Sequence, residues 1–433
     1  MTVTETLAQW AAALVDLPDT MRASVLSSVF DWASVGLAGR GEPVAQRTRA
    51  AVLEEGGAGQ AGLFGGGSSN ARSAALVNGA TSHALDYDDT HFLHIGHPSV
   101  AVTPAALAVA QWKDASGAAF IDALALGLEA SCRIGDWLGR AHYEAGFHQT
   151  GTAGAFGATV AAGRLLGLDA GQMTHALALT ATRAAGLKSQ FGTMGKPLNA
   201  GFAAEVGVTC AMLAAQGVES TPDAIAGPQG FGPTHAGMAR DQALDGLGQT
   251  WVFPDVSYKF HACCHGLHAM LEAAGRLRNA VTADAIQSIT IHTHPRWLAV
   301  CNQPSPEMGL GAKFSYRLTA AMAFAGVDTA ALDSYTDAMT SRADLVALRN
   351  KVTVIGDPAL TDMQTRVSVT TAEGTQDAFH DLMATGPAEA VRQRLQDKSA
   401  SLLGTDVSGP LWQAVAGLRD ASHTKALTDI LFA

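Results

Sequence analysis

A chain of 433 residues is longer than one small core requires, and at roughly 100–200 residues per domain it reads as two or three domains. With 48% apolar and 15% charged residues it can bury a large core and is not a disordered chain. Its 28 basic and 39 acidic side chains give a net charge of −11, which argues against a nucleic-acid binder and leaves an anionic ligand dependent on local cations.

Five cysteines in so long a chain are no disulfide framework, so a reducing, cytoplasmic compartment is expected. The start, Met1 to Glu5, lacks the basic region and apolar run of a secretory signal. The uncharged stretches near 95–112 and 145–163 are interrupted by histidine, proline or glycine, so neither reads as a membrane span. The expectation is an enzyme with no membrane and no nucleic-acid partner.

To about residue 250 the pattern is helical. Leu7, Trp10 and Leu14 form one apolar stripe, and Met21, Val25, Val29 and Trp32 form the next. Pro18-Asp19-Thr20 separates them as a stop followed by a helix start. Ala-rich runs at 73–85, 104–112, 118–132, 153–166, 173–186 and 200–216 predict closely packed helices, with glycine collecting at the joints. From about 251 the pattern changes. Ala285 to His294 alternates and is β-branched, Val352 to Ile355 and Arg366 to Thr371 repeat that signature, and Glu373-Gly374 turns into a return strand. Helical stretches are expected at 264–279, 313–325, 328–335, 341–350 and 387–398, and again from Leu411 to Leu431. The reading is a mostly α protein. A large all-helical domain (1–255, completed by the tail 405–433) is joined to a smaller α+β domain (256–404).

Several motifs have bland accounts. Gly57-x-Gly59-x-x-Gly62 follows an apparent helix rather than a strand, so it reads as a loop and not a dinucleotide site. Gly192 to Pro197 has short glycine spacing, and Pro197 stands where a phosphate loop needs Ser or Thr. His261 to His268 contains Cys263 and Cys264, but its ligands fall on different helix faces, so packed thiols are favoured over metal or a nucleophile.

The segment His83 to Ser99 is the densest polar stretch in the chain. Asp86 and Thr90 are four apart and would share a face on a helix end. Pro98 biases His97 out of helical geometry. A zinc site from His91, His94 and His97 lacks supporting spacing, and Asp88 and Asp89 have a ready account as helix-capping residues. A second polar segment, His142 to Thr152, places His148 ahead of a helix, with Thr150 or Thr152 as its cap. The chain has eight lysines against 20 arginines, and Lys196 and Lys259 sit among aromatic and small residues. Two desolvated ammonium groups with two histidine segments suit a substrate carrying two or more carboxylates.

These segments together make the chain resemble the MmgE/PrpD family, which includes 2-methylcitrate dehydratase, cis-aconitate decarboxylase and iminodisuccinate epimerase. The resemblance rests on Asp86-Tyr87-Asp88-Asp89-Thr90 with Gly96-His97-Pro98-Ser99, on Phe147-His148, on Gly192 to Pro197, and on Tyr258-Lys259 with Gly266 and His268. It implies an all-helical domain with an α+β lid, a homodimer, and a site between the domains that uses neither metal nor organic cofactor. Asp86, His97, His148, Lys196 and Lys259 are then the expected catalytic residues. Thr90, Tyr143, Thr193, Met194 and His268 are the expected substrate-binding residues. One departure is Leu318, which stands where decarboxylase-like members carry a tyrosine. The implied activity is a dehydratase-like lyase on a small di- or tricarboxylate, with an epimerase as the alternative and a silent scaffold as a third reading.

Overall fold

The computed structural model describes every residue except Val15 and Thr385. The chain divides into two compact units, Met1–Tyr258 with Leu403–Ala433, and Lys259–Leu402. The protein is mostly helical.

The first unit opens with α1 (Val3–Ala12), where Thr2 and Glu5 form a capping box that satisfies two backbone donors at the helix start. Leu14 lies beyond α1 and is exposed, so it is not part of that stripe. α2 (Asp19–Gly39) starts at Pro18 and is buried over most of its length. α3 (Pro43–Glu55) precedes the glycine cluster, which folds as a short hairpin of β1 (Ala61–Gly62) and β2 (Ser68–Ser69) rather than a plain loop. Then come α4 (Ala71–Ser82), α5 (Ser99–Trp112), α6 (Gly117–Glu144), α7 (Gln149–Leu166), α8 (Ala170–Ala181), α9 (Gly195–Ala215) and the single turn α10 (Phe231–Thr234). The Ala-rich run 173–186 is helical to Ala181 and then leaves the helix, because residues 182–194 form a loop that reaches towards His148.

Small residues set the helix spacing, as the composition suggests. A Cβ built on Gly79 of α4 would stand 2.8 Å from the Cα of Gly201 in α9, so these helices cross backbone to backbone. That crossing fixes where the C-terminal end of α4 lies relative to the N-terminal turn of α9. By length and composition α9 alone among the described helices is apolar enough to cross a membrane, but most of it is buried inside the protein.

A buried ion pair shapes the last part of the unit. Arg133 Nε donates to Glu129 Oε1 at 2.7 Å, and its other nitrogens donate to the carbonyls of Ala243, Asp245 and Thr250. Glu129 in turn accepts from the N–H groups of Val252 and Phe253. Both partners of the pair are thus hydrogen-bonded on several sides, as a buried pair requires. The segment it holds, Val252 to Ser257, is the one on which the loop after α4 rests.

The second unit contains α11 (His268–Arg278), β3 (Ser288–Thr293), α12 (Gly309–Ala312), α13 (Tyr316–Phe324), α14 (Asp337–Ser341), α15 (Ala343–Arg349), β4 (Val352–Gly356), β5 (Gln364–Thr371), β6 (Gly374–Asp381) and α16 (Ala388–Leu403). Its sheet runs β4-β3-β5-β6, parallel between β3 and β4 and antiparallel elsewhere. Ile289 and Ile291 pair with Val369 and Val367, and all four side chains are buried. Stretch 328–335, expected to be helical, forms only a single 3-10 turn at Leu332–Ser334. Its Thr329 instead bonds back to the start of the unit, through Ala262 and His261.

The tail returns to the first unit as α17 (Thr405–Ala416) and α18 (Lys425–Leu431). Trp412 meets the edge of Phe30 at 5.2 Å, and Phe432 meets Phe64 at 5.6 Å. Aromatic pairs of this kind contribute about 0.5–1.5 kcal/mol beyond area burial.

Candidate active site

Four chain segments of the first unit converge. His83 caps the C-terminal end of α4, and an irregular stretch runs from there to Pro98 at the head of α5. His148 precedes α7, and Lys196 and Asn199 lie in the opening turns of α9. The four-residue spacing of Asp86 and Thr90 therefore does not lie on a helix. Asp86 has φ 51, a left-handed conformation, and Thr90 is held by a backbone bridge to Ser257. Aspartate tolerates that backbone better than most residues, which suits it to the bend.

The centre of the cluster is Asp88, a fully buried carboxylate. Its Oδ1 lies 3.0 Å from His83 Nδ1, and its Oδ2 lies 2.8 Å from His97 Nδ1. Burial alone would raise its pKa, but the two imidazoles hold the carboxyl well below the usual range. With Nδ1 engaged by Asp88, His97 turns Nε2 towards Asp86, whose Oδ1 is 3.4 Å away. Asp86 Oδ2 accepts from Lys196 Nζ at 2.7 Å. Asp86 is 45% exposed and Lys196 17%, so this pair forms the solvent-facing side of the cluster.

A row of rings lies behind it. His83 packs against His97 at 4.7 Å between centroids and stacks on His148 at 6.0 Å. Phe191 meets His148 edge-on at 4.9 Å, and Lys196 Nζ lies 5.4 Å from the Phe191 ring. Burial, and then the nearby His83, Lys196 and His97, hold the pKa of His148 well below that of a free imidazole, with Asp86 opposing.

Asp89 has a different task from Asp88. It accepts from Ser99 N and, at 2.5 Å, from Ser99 Oγ, and so caps α5. The capping account thus holds for Asp89, whereas Asp88 serves the histidines. Burial, with Asp31 and Asp88 nearby, pushes Asp89 up to about 7 although the Ser99 bond favours the charged form. A folded-state pKa above the unfolded one gives stability that is complete in acid and lost as pH rises through about 7. The Asp89→Asn variant lacks that titration. Its melting temperature relative to wild type is therefore expected to be higher at pH 8.5 than at pH 5.5. Parallel pH profiles of the two proteins would refute the assignment.

Other expected residues fall differently. The cap positions assigned to Thr150 and Thr152 are not used that way. His148 occupies the cap, Thr150 Oγ1 accepts from His97 N, and Thr152 Oγ1 bonds His142 Nε2. The crowding explains it, since Gly96 packs so closely that an added Cβ would lie 2.8 Å from both Thr150 N and Oγ1. Thr90 stands by its Ser257 bridge, with Oγ1 3.3 Å from that carbonyl. Tyr143 carries Lys188 over its ring at 3.9 Å and accepts from it through its carbonyl. Thr193 accepts from Gly195 N at the start of α9, and the neighbouring Met194 side chain is exposed. Lys259 and His268 belong to the second unit. There His268 stacks on His265 at 5.0 Å, and burial followed by His265, His261 and Lys259 holds its pKa well down.

Metal-ligand geometry occurs at one place among the described residues. His83, Asp86, Asp88 and His97 each offer an atom within 4.8 Å of the others. His91 is not in that group, since its Nε2 bonds the Val252 carbonyl at 2.8 Å, and neither is His94. The four could hold a divalent ion, but Lys196 Nζ already supplies a cation to Asp86. In the second unit, Cys264 and Cys301 have sulfurs 3.3 Å apart, and burial pushes the Cys263 thiol up to about 12. Such a thiol is a poor nucleophile at neutral pH.

Residues 5–244 match the MmgE/PrpD N-terminal domain and residues 261–404 the MmgE/PrpD C-terminal domain. The chain belongs to the MmgE/PrpD family. Human cis-aconitate decarboxylase is similar at 26% identity over 381 residues, 83% of this chain and 79% of that protein. The mouse enzyme of the same name is 24% identical over 383 residues, 83% of this chain and 78% of that one. Cis-aconitate decarboxylase of Aspergillus terreus is 29% identical over 294 residues, 64% of this chain and 60% of that protein. Within this MmgE/PrpD chain, Asp88, His83, Phe191 and Asn199 are cluster members that the motif reading did not assign. His83 and Asp88 stood inside a quoted polar segment. Asn199 left a fainter signal, a lone amide in an Ala/Gly-rich helix.

Proposed function

We propose that this protein is a lyase that acts on a small di- or tricarboxylate by removing a proton next to a carboxylate, with no metal or organic cofactor. The observation that carries the proposal is the Asp88–His97–Asp86–Lys196 chain of contacts, in which a braced imidazole and an ammonium face the same space. His97 Nε2 takes the proton. The electron pair left on carbon spreads into the adjacent carboxylate, where Lys196 stabilises the developing charge. Loss of a group from the neighbouring carbon then forms an alkene. Named relatives act on cis-aconitate, a tricarboxylate, which makes that compound the first to try.

Lys259 and His268 stay in the proposal on the family pattern alone, as do homodimerisation and the cytoplasmic compartment. An epimerase is the second reading. It is favoured by Leu318, a buried apolar side chain at the place where decarboxylase-like members carry a tyrosine.

Incubation with a panel of carboxylates in D₂O, followed by NMR, tests these readings. A new alkene, its hydration or loss of a carboxyl group supports the lyase, and deuterium exchange without net change supports the epimerase. Silence on every compound supports a scaffold. Turnover is expected to survive EDTA. Loss of activity that zinc or iron restores would instead place an ion among His83, Asp86, Asp88 and His97.

A further inference from the structure

We propose that Asn199 fixes His148 as the neutral tautomer with its proton on Nε2, so that His148 donates a hydrogen bond to a substrate carboxylate oxygen and His97 is the single base. The proposal deepens the lyase reading above and rests on it for the substrate's part.

The argument is one of donors and acceptors. Asn199 Nδ2 lies 3.3 Å from the carbonyl oxygen of Leu187. A carbonyl oxygen can only accept, so the atom facing it is the amide NH₂ and the side chain cannot be flipped. The same Nδ2 lies 3.0 Å from His148 Nδ1. That ring nitrogen must therefore accept, and in a neutral imidazole the proton is left on Nε2. The surroundings hold the pair in place. The N–H of His148 donates to the Gly186 carbonyl at 3.0 Å, Phe147 bridges to Leu187, and Asn199 itself is buried on α9.

The charged groups facing the ring favour the neutral form. His83 stacks on one face, and Lys196 adds positive charge, joined by His97 once it has taken the substrate proton, with Asp86 the opposing carboxylate. Phe191 covers an edge with apolar carbon. An imidazole in this setting resists taking a proton. What it offers is a preorganised N–H directed at charge that develops on oxygen, worth most where water is excluded. His97 is the opposite case, because carboxylates meet both its nitrogens and stabilise the ring once it is protonated. The two histidines are therefore not interchangeable. A two-base epimerase, which needs a proton carrier on each face of the substrate, is disfavoured.

The test is long-range ¹H–¹⁵N NMR on the ligand-free protein with ¹⁵N-labelled histidine, using His148→Gln to identify the signals that vanish. From pH 6 to 9, His148 is expected to keep a protonated Nε2 and a bare Nδ1. In Asn199→Asp a carboxylate replaces the amide donor, so the proton moves to Nδ1 or the ring becomes charged. Turnover then falls at least about tenfold, and a wrong tautomer at a catalytic histidine can cost about 10⁴ in kcat. Asn199→Ala, which favours neither tautomer, should show both in slow or averaged exchange and an intermediate loss. Wild-type protein with a protonated Nδ1 at pH 7 overturns the proposal. So does an Asn199→Asp variant that moves the proton and keeps its kcat. The tautomer readout needs no substrate, so failure of every carboxylate would count against the proposed function and leave the Asn199–His148 assignment standing on its own measurement.

Discussion

Asp88→Asn is expected to lower kcat by about 10³–10⁴, the size of effect seen when an imidazole loses the carboxylate that orients it. Asp88 meets the Nδ1 atoms of both His83 and His97. An amide of the same shape keeps one acceptor oxygen and presents an NH₂ to the other ring. That ring must then accept, and its second nitrogen becomes protonated. If the affected ring is His97, the atom meant to receive the substrate proton is already occupied. Stability should fall as well, since breaking a buried pair costs roughly 3–5 kcal/mol, so the assay belongs at low temperature with folding checked by circular dichroism. The pH dependence has a definite sign. Asp88 has a folded-state pKa below its unfolded one, so its contribution is complete above the ordinary carboxylate range and lost as pH falls through the depressed value. The variant lacks that acid limb. A folded Asp88→Asn protein with wild-type kcat would separate His97 from the chemistry.

Lys196→Met should reduce kcat/KM by about ten- to a hundredfold or more, because a hydrogen bond to a charged group contributes roughly 1.5–3 kcal/mol. The lysine is not an unpaired cation waiting for substrate, since Asp86 already accepts from it at 2.7 Å. The effect on folding should be small. The pair is partly exposed, and such pairs contribute little to stability, so the melting temperature should move by only a few degrees. It also enlarges the expected kinetic effect, because the variant leaves Asp86 as an unopposed negative charge beside an anionic ligand. A fall in kcat at constant KM assigns Lys196 to the developing charge, whereas a raised KM alone assigns it to ground-state binding. Unchanged kinetics on an identified substrate would move the site elsewhere.

The helices and the sheet strands are legible in the sequence because each is a local pattern. Pro98 after His97, the β-branched alternation at 285–294 and the small-residue runs act within a few residues of themselves. What failed was set over long separations. The helical spacing of Asp86 and Thr90 is overridden because Thr90 pairs with Ser257, 167 positions away. Asn199 is not legible locally because its meaning depends on His148, 51 positions earlier. Asp88 and Asp89 are neighbours with the same side chain, and no local rule could say that one caps α5 while the other serves two histidines. Thr193 bonds Gln190 and Gly195 N, Met194 is exposed and Tyr143 meets Lys188, contacts that local sequence does not reveal.

The Asp86–Lys196 contact also bears on selectivity. Asp86 is a carboxylate tethered beside the ammonium, and a tethered group competes at an effective concentration on the order of millimolar or above. A free monocarboxylate such as acetate offers the same headgroup without the tether and gains nothing by exchange. On the proposed reading, a ligand would displace Asp86 when a second anionic arm reaches another donor, such as the His148 N–H proposed above. Under the proposed function, abundant simple acids would thereby be kept out by intramolecular competition, and recognition would begin at two charges rather than one.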